Sequence, residues 1–551
     1  MQHQDSLNAY ILQSVRDNWE QLALTDFNGV SFQYKDVARK IAKLHLLFEH
    51  AGVGPGDRVA ICGRNSAQWA VAFLGIITYG AVAVPILNEF KPDNIHHLVS
   101  HSEAKLLFAD AAVWENLDSD CMSQILGAIQ ISDYSLMMSR SEALTHARAN
   151  LNRFFGEKYP ERFDVGCFDV ALTKPGDLAL INYTSGSTGF SKGVMLPERS
   201  LWSNVEFTID RLDFLQPGDG VVCMLPLAHM YGLTVELLHP FVKGCHINFL
   251  TRTPSPRVIM EAFASVKPKM IVSVPLIIEK IIKTKVFPLL DKPMMKLLMH
   301  VPFVDNHLLA KIKARLADTF GGNVVEIIIG GAALNKDVEE FLRRIEFPFT
   351  VGYGMTECAP LLTYCYWSDQ RPHSCGKMVD GMEARIASKD AANVPGVLFV
   401  RGDNVMKGYY KNPEATAEAL DNKGWLNTGD VCTIDADGYV YIRGRDKSMI
   451  LGPSGQNIYP EEIEVKLNNL PLVGESIAVD RDGRIVALVH PDYDQGRKLG
   501  LTEAETEKKV MANLPVLNKM LPAYSRVSAF EIHRDEFEKT PKHSIRRFIY
   551  K

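Results

Sequence analysis

Residues 178–193 read Leu178-Ala-Leu-Ile-Asn182-Tyr183-Thr-Ser-Gly-Ser-Thr-Gly-Phe-Ser-Lys-Gly193. The apolar run Leu178–Asn182 has the character of a buried strand, and α/β sheets place ligand loops at the carboxyl ends of such strands. Three glycines in the loop, Gly186, Gly189 and Gly193, let the backbone come close to a ligand. Thr184, Ser185, Ser187 and Thr188 offer hydroxyl donors beside main-chain N–H groups, and Lys192 adds a positive charge. That combination suits a polyphosphate. It is not a Walker A loop, because no Gly-Lys-[Ser/Thr] follows a glycine at the required spacing. A solvated Ser/Gly linker is the plainer alternative, and it would not be expected directly after a buried strand.

Outward from this loop, helical and strand patterns alternate along the chain, which predicts an α/β protein on largely parallel, buried sheets. Asp36-Val-Ala-Arg39 opens an amphipathic helix, and Asp57–Cys62 reads as the following strand. Further buried strands are predicted at Leu178–Asn182, Val221–Met224, Met270–Val274 and Val324–Ile329. The stretch from Trp114 to Asp169 has no regular pattern. After about Ala384 the pattern changes to short alternating strands bounded by Gly and Asp, at Gly396–Gly402 and Asp437–Gly444, which look antiparallel. A polar bend at Gly444–Lys447 precedes a last segment of α+β character, with a helix at Glu461–Leu470 and strands at Ser476–Val479 and Arg484–His490.

The chain has 551 residues, enough for roughly three or four domains. Its 46% apolar and 23% charged residues exclude a disordered scaffold, a collagen-like fibre and a disulfide-stapled mini-protein. With 60 basic against 65 acidic residues the net charge is −5, so nucleic acid is not expected as the main partner. Nine cysteines, an odd number without a C-x-x-C pair, suit a reducing cytosol. The first 21 residues have no long apolar core after a basic start, unlike a signal peptide. The longest apolar stretch, Trp69–Leu87, contains Gly75, Gly80 and Pro85 and reads as a buried helix followed by a buried strand rather than a membrane span.

The loop Thr184–Gly193 resembles the signature loop of the adenylate-forming (AMP-binding) superfamily, and further motifs of that family follow in order. Gly330-Gly-Ala-Ala333 matches the end of the adenine-pocket strand, Gly352-Tyr-Gly-Met-Thr-Glu357 the second nucleotide motif, Thr428-Gly-Asp430 the ribose motif and Gly444-Arg-Asp-Lys447 the hinge. Each is weak alone; together, in order, they are specific. The resemblance implies a large N-terminal AMP-binding domain over 1–445, with a β-rich subdomain at about 385–445. A small, mobile C-terminal lid domain would follow over 446–551.

It also implies roles. ATP or AMP would lie on Thr184, Ser185, Gly186, Ser187, Thr188, Gly189 and Lys192, and on Gly331, Ala332, Ala333, Tyr353 and Gly354. Tyr353 would stack on adenine, Thr356 would donate to the α-phosphate, and Glu357 would hold Mg²⁺ as a hard oxygen ligand. Asp430 would accept both ribose hydroxyls and Arg445 would add a ribose or phosphate contact. His229, in Pro226-Leu-Ala-His-Met-Tyr-Gly232, is similar to the family histidine beside the carboxylate entrance. Lys447 would be the hinge. Plainer readings stand beside these: a packed tyrosine for Tyr353, a helix-start acid for Glu357, a turn aspartate for Asp430, a surface salt bridge for Arg445 and a core histidine for His229.

Val405–Thr416 and Ser454–Glu464 resemble bacterial long-chain fatty-acid CoA ligases. The expected activity is therefore ATP-dependent fatty acyl-CoA synthesis, through acyl-adenylate and pyrophosphate to acyl-CoA and AMP. ATP, coenzyme A and a fatty acid would be substrates, Mg²⁺ the metal, and the cytoplasm the compartment, with peripheral contact at the inner membrane face left open. Two alternatives stay open: an acyl-AMP ligase loading an acyl carrier protein, and a non-catalytic acyl- or nucleotide-binding relative. One departure from the family concerns its closing lysine, in a pattern like Lys-Thr-Pro-x-x-Lys. Here the chain reads Glu538-Lys-Thr-Pro-Lys-His-Ser-Ile-Arg-Arg547, so Ser544 stands at the lysine's place. Lys542, two residues earlier, is the candidate substitute, against the reading that it belongs to an exposed basic tail.

Overall fold

Four consecutive buried residues, Val59–Cys62, place the strand Arg58–Cys62 in the interior of an eight-stranded sheet. The structure is a computed structural model that describes residues 6–184, 192–251, 255–287, 304–451, 457–481, 483–539 and 545–550. The sheet runs in the order Gly408–Tyr409, Lys192–Pro197, Leu178–Thr184, Val82–Ile86, Arg58–Cys62, Leu106–Ala109, Gly127–Gln130 and Leu136–Ser139. Its five central strands are parallel, as the buried apolar runs predict. The outer strands depart from that expectation and run antiparallel. Lys192 is only eight positions beyond Thr184, too few residues for the crossover that a parallel neighbour requires.

The stretch Trp69–Leu87 folds as the helix Ala67–Tyr79 and the strand Val82–Ile86. The Ser66 hydroxyl accepts from Trp69 N at its start (3.1 Å), and Gly80, left-handed at φ 83°, ends it. Among the described residues, no helix is long and apolar enough to cross a membrane. Residues 114–169, without pattern in the sequence, hold short elements, among them the strands Gly127–Gln130 and Leu136–Ser139 and the helices Glu142–Ala149 and Leu151–Lys158.

At Arg58–Cys62 the chain path reverses, with Val82–Ile86 on one side and Leu106–Ala109 on the other. Such a reversal opens a crevice at the strands' carboxyl ends. A cleft of about 320 Å³ lies there, lined by Arg64, Asn88, Phe90, Asp110 and Leu117. Thr184 ends a parallel strand of the same sheet, so its loop leaves from this edge too.

A second, three-stranded parallel sheet joins Met270–Ser273, Glu326–Ile329 and Phe349–Val351. Beyond it, Met382–Ile386, Gly396–Gly402, Leu426–Ile434 and Val440–Arg445 form an antiparallel sheet. Main-chain bonds from Cys375 N to Val440 O (2.8 Å) and from Val440 N to Gly376 O (2.9 Å) join it to the small sheet of Tyr353–Gly354, Leu361–Tyr364 and Lys377–Met378. The last segment packs Pro460–Leu467, Glu503–Met511 and Leu514–Met520 beside the strands Val473–Arg481, Arg484–Pro491 and Ala529–Ile532. Ile463, Leu467, Ala487, Val510, Leu517 and Phe530 give it a core of its own, which supports the division we propose at residues 445–446.

Candidate active site

Leu426–Ile434 and Val440–Arg445 pair antiparallel with Asp430 opposite Arg445, so the carboxylate and the guanidinium leave neighbouring strands side by side. Arg445 Nε donates to Asp430 Oδ1 at 2.7 Å. The Tyr353 hydroxyl donates to Asp430 Oδ2 at 2.5 Å. The turn itself is fixed by Thr428, whose hydroxyl donates to Leu398 O (2.8 Å) and accepts from Asp430 N (3.1 Å). Asp430 and Tyr353 are buried, whereas the Arg445 side chain is 61% exposed. Burial pushes the Asp430 carboxyl up from its ordinary value, and the Arg445 cation and the Tyr353 hydroxyl oppose that shift. Burial also holds the Tyr353 phenol far above its usual range, so it stays a donor.

Gly354 follows Tyr353 for a steric reason: a Cβ there would lie 2.2 Å from the Pro360 carbonyl oxygen. The next turn, Thr356–Cys358, carries the half-buried Thr356 and the buried Glu357. Glu357 Oε1 accepts from the Tyr409 hydroxyl at 2.9 Å, and Met406 N donates to Glu357 O at 2.8 Å. The Lys192 ammonium sits 4.8 Å from the centre of the Tyr409 ring. Thr184 and Lys192 face each other in register, where their strands meet at the loop. Residues 185–191, and with them Ser185, Gly186, Ser187, Thr188 and Gly189, lie outside the described residues, as do Lys542 and Ser544.

Gly331, Ala332 and Ala333 are exposed at the carboxyl end of Glu326–Ile329. His229 is half-buried and precedes the turn Met230–Gly232. Two residues on, the Tyr231 hydroxyl donates to Ile328 O at 3.0 Å, tying the histidine's turn to the strand that leads into Gly331. Lys447 is exposed in the turn Asp446–Ser448, and the Ser448 hydroxyl donates to Glu461 Oε1 at 2.5 Å.

Of the sequence-predicted residues, Tyr353, Asp430 and Arg445 are in direct contact, Lys192 and Glu357 are linked through Tyr409, and the His229 turn is tied to the strand before Gly331 through Tyr231. The residues 12–410 match the AMP-binding enzyme family, almost three quarters of the chain. The chain belongs to the AMP-binding enzyme family. Its curated relatives include 4-coumarate–CoA ligase 2 of Oryza sativa subsp. japonica, 29% identical over 460 residues that cover 80% of this chain and 74% of the relative. They also include the long-chain-fatty-acid–CoA ligase FadD15 of Mycobacterium bovis, 27% identical over 509 residues that cover 86% and 80%. The fold matches that of ATP-bound MatB from Rhodopseudomonas palustris with a TM-score of 0.77 and 24% identity, over 100% of this chain and 98% of that one.

Two residues that tie the candidate site together were not legible as such in the sequence. Tyr409 lies in the Val405–Thr416 stretch, and Tyr231 in the histidine motif. Each meets its partner across a long separation, 52 residues to Glu357 and 97 to Ile328. The family also implies Mg²⁺, and the donor set can be tested against it. Magnesium is held through one or two carboxylates plus substrate phosphates rather than in an all-protein cage. Among the described residues no three His, Cys, Asp or Glu side chains form such a cage. Glu357 offers one carboxylate whose Oε1 is engaged by Tyr409, leaving Oε2 unclaimed by that tyrosine. These residues fit the ion.

Proposed function

We propose that this AMP-binding enzyme is an AMP-forming acid–CoA ligase whose acid is a medium- or long-chain fatty acid. The coarser part, AMP-forming acid–CoA ligation, is supported by family membership and by the CoA ligases among the relatives. The fatty acyl part is carried by the relationship to FadD15, which spans 86% of the chain. In this reading, Lys192 and the loop before it hold the polyphosphate, Asp430 and Arg445 the ribose, and Tyr353 one face of the adenine. Thr356 donates to the α-phosphate and His229 orients the incoming carboxylate. An oxygen of that carboxylate attacks the α-phosphorus while the bond to pyrophosphate breaks. The thiol of coenzyme A then attacks the acyl carbon and AMP leaves. Glu357 would hold Mg²⁺ against the phosphates, where the ion supplies charge that offsets repulsion between two anionic reactants. Lys542 would bring a further cation to the α-phosphate in place of the family lysine. Rotation at Lys447 would exchange the two half-reactions. Cytoplasmic placement with peripheral membrane contact belongs to the same proposal.

The second reading is a hydroxycinnamate–CoA ligase, which the 29% match to the rice 4-coumarate ligase favours. Incubation with ATP, Mg²⁺, coenzyme A and palmitate, octanoate or 4-coumarate, followed by mass spectrometry, separates them. Palmitoyl- or octanoyl-CoA formed faster than 4-coumaroyl-CoA supports the fatty acid, and the reverse order overturns it. A holo-acyl carrier protein in place of coenzyme A tests the alternative acceptor.

A further inference from the structure

We infer that Tyr409 is a positioning residue that sets the magnesium-binding carboxylate of Glu357 and, with the other side of its ring, the ammonium of Lys192. The inference rests on the ligase reading above, in which those two groups meet the phosphates of ATP.

Three observations carry it. The Tyr409 hydroxyl donates to Glu357 Oε1 at 2.9 Å, so one carboxylate oxygen is held in place. The ring centre lies 4.8 Å from Lys192 Nζ, so the same side chain also contacts the ammonium proposed to meet the phosphates. Tyr409 is itself held from several directions. It pairs with Val194 in the sheet, its N–H donates to the Thr416 hydroxyl at 2.9 Å, and it is 8% exposed. Main-chain bonds tie down the neighbours as well, with Lys407 N donating to Met195 O and Met406 N to Glu357 O. A carboxylate that binds a metal is commonly oriented by such an outer hydrogen bond, and losing the donor weakens metal binding by about ten- to a hundredfold. Tyr409 contacts Glu357 and Lys192, and it acts through them.

The test uses the full chain and ATP itself, titrated calorimetrically with and without Mg²⁺, so that no acid need be known. Tyr409→Phe keeps the ring and its contact with Lys192 but removes the hydroxyl. We expect metal-free ATP affinity within twofold of the parent (roughly the size of an unperturbed site) and a Mg²⁺-dependent gain in affinity about tenfold smaller than the parent's. Tyr409→Leu, which also removes the ring, should lower metal-free affinity as well. Glu357→Gln is the reference. If Glu357→Gln loses the Mg²⁺ effect and Tyr409→Phe retains it, the positioning role is overturned while the ligase reading stands. If Glu357→Gln also retains it, the reading of Glu357 fails. Equal loss by Tyr409→Phe with and without Mg²⁺ would mean a merely structural tyrosine and overturn the inference.

Discussion

Asp430 accepts from both Tyr353 and Arg445. An ionised carboxylate has about four lone-pair positions, so ribose hydroxyls can be accepted without displacing either protein donor. Replacing Asp430 with alanine removes charge-assisted bonds of about 1.5–3 kcal/mol each and leaves Tyr353 without its acceptor. ATP affinity should fall at least tenfold; a folded Asp430→Ala protein with unchanged calorimetric affinity would remove this residue from the site. Lys542 carries a different expectation. If its ammonium serves the α-phosphate, Lys542→Ala should slow adenylation by about two to three orders of magnitude while thioester formation from supplied acyl-adenylate continues. Adenylation at the parent rate would exclude it. If the parent itself adenylates no acid and Ser544→Lys restores the reaction, the natural protein is a weakened or non-catalytic relative.

Among the elements, the segment after His229 is the most unusual. Leu233–Leu238 is a π-helical turn between Met230–Gly232 and His239–Val242. Pro240 has no N–H to donate to the Glu236 carbonyl, and the widened turn re-registers the ladder around that gap. Glu236 points inward from it, fully buried. Its Oε2 accepts from Met224 N (3.1 Å) and Leu225 N (2.8 Å), and burial pushes its carboxyl up from 4.5 to about 8. Below about pH 4.5 both folded and unfolded chains hold this proton. Between 4.5 and 8 only the unfolded chain releases it, so the native state loses stability as pH rises across that window, by a few kcal/mol at most. Glu236→Gln should flatten this slope in urea melts between pH 5 and about 8; parallel curves for parent and variant would refute it. None of this was legible beforehand. Buried strands such as Met270–Ser273 announce themselves by composition, and Asp430 and Glu357 stand in short motifs. The Glu236 turn, Tyr231 and Tyr409 depend on partners brought in by tertiary packing, which local periodicity does not encode. The antiparallel edges were missed for a related reason, since direction is set by the length of a connection rather than by the strand's own residues.

At the scale of the whole molecule, Lys447 lies one turn beyond Arg445, where the antiparallel sheet hands over to the last segment. Proline at this position fixes φ near −65° and opposes rotation. Lys447→Pro should therefore leave acyl-adenylate formation largely intact and reduce thioester formation much further, read as separate half-reactions. Equal loss of both would place the hinge elsewhere. A different consequence follows from the bonds that join the small sheet carrying Tyr353 to the larger antiparallel sheet, Cys375 N to Val440 O and Val440 N to Gly376 O. Strands coupled in this way open to solvent as one cooperative unit rather than singly. Hydrogen exchange should then report the nucleotide far from where it sits. With ATP present, amides of Gly396–Gly402 and Met382–Ile386, which carry none of the proposed nucleotide contacts, should slow as much as those of Leu361–Tyr364. Slowing limited to residues 353–357 and 428–430 would show instead that the two sheets breathe independently.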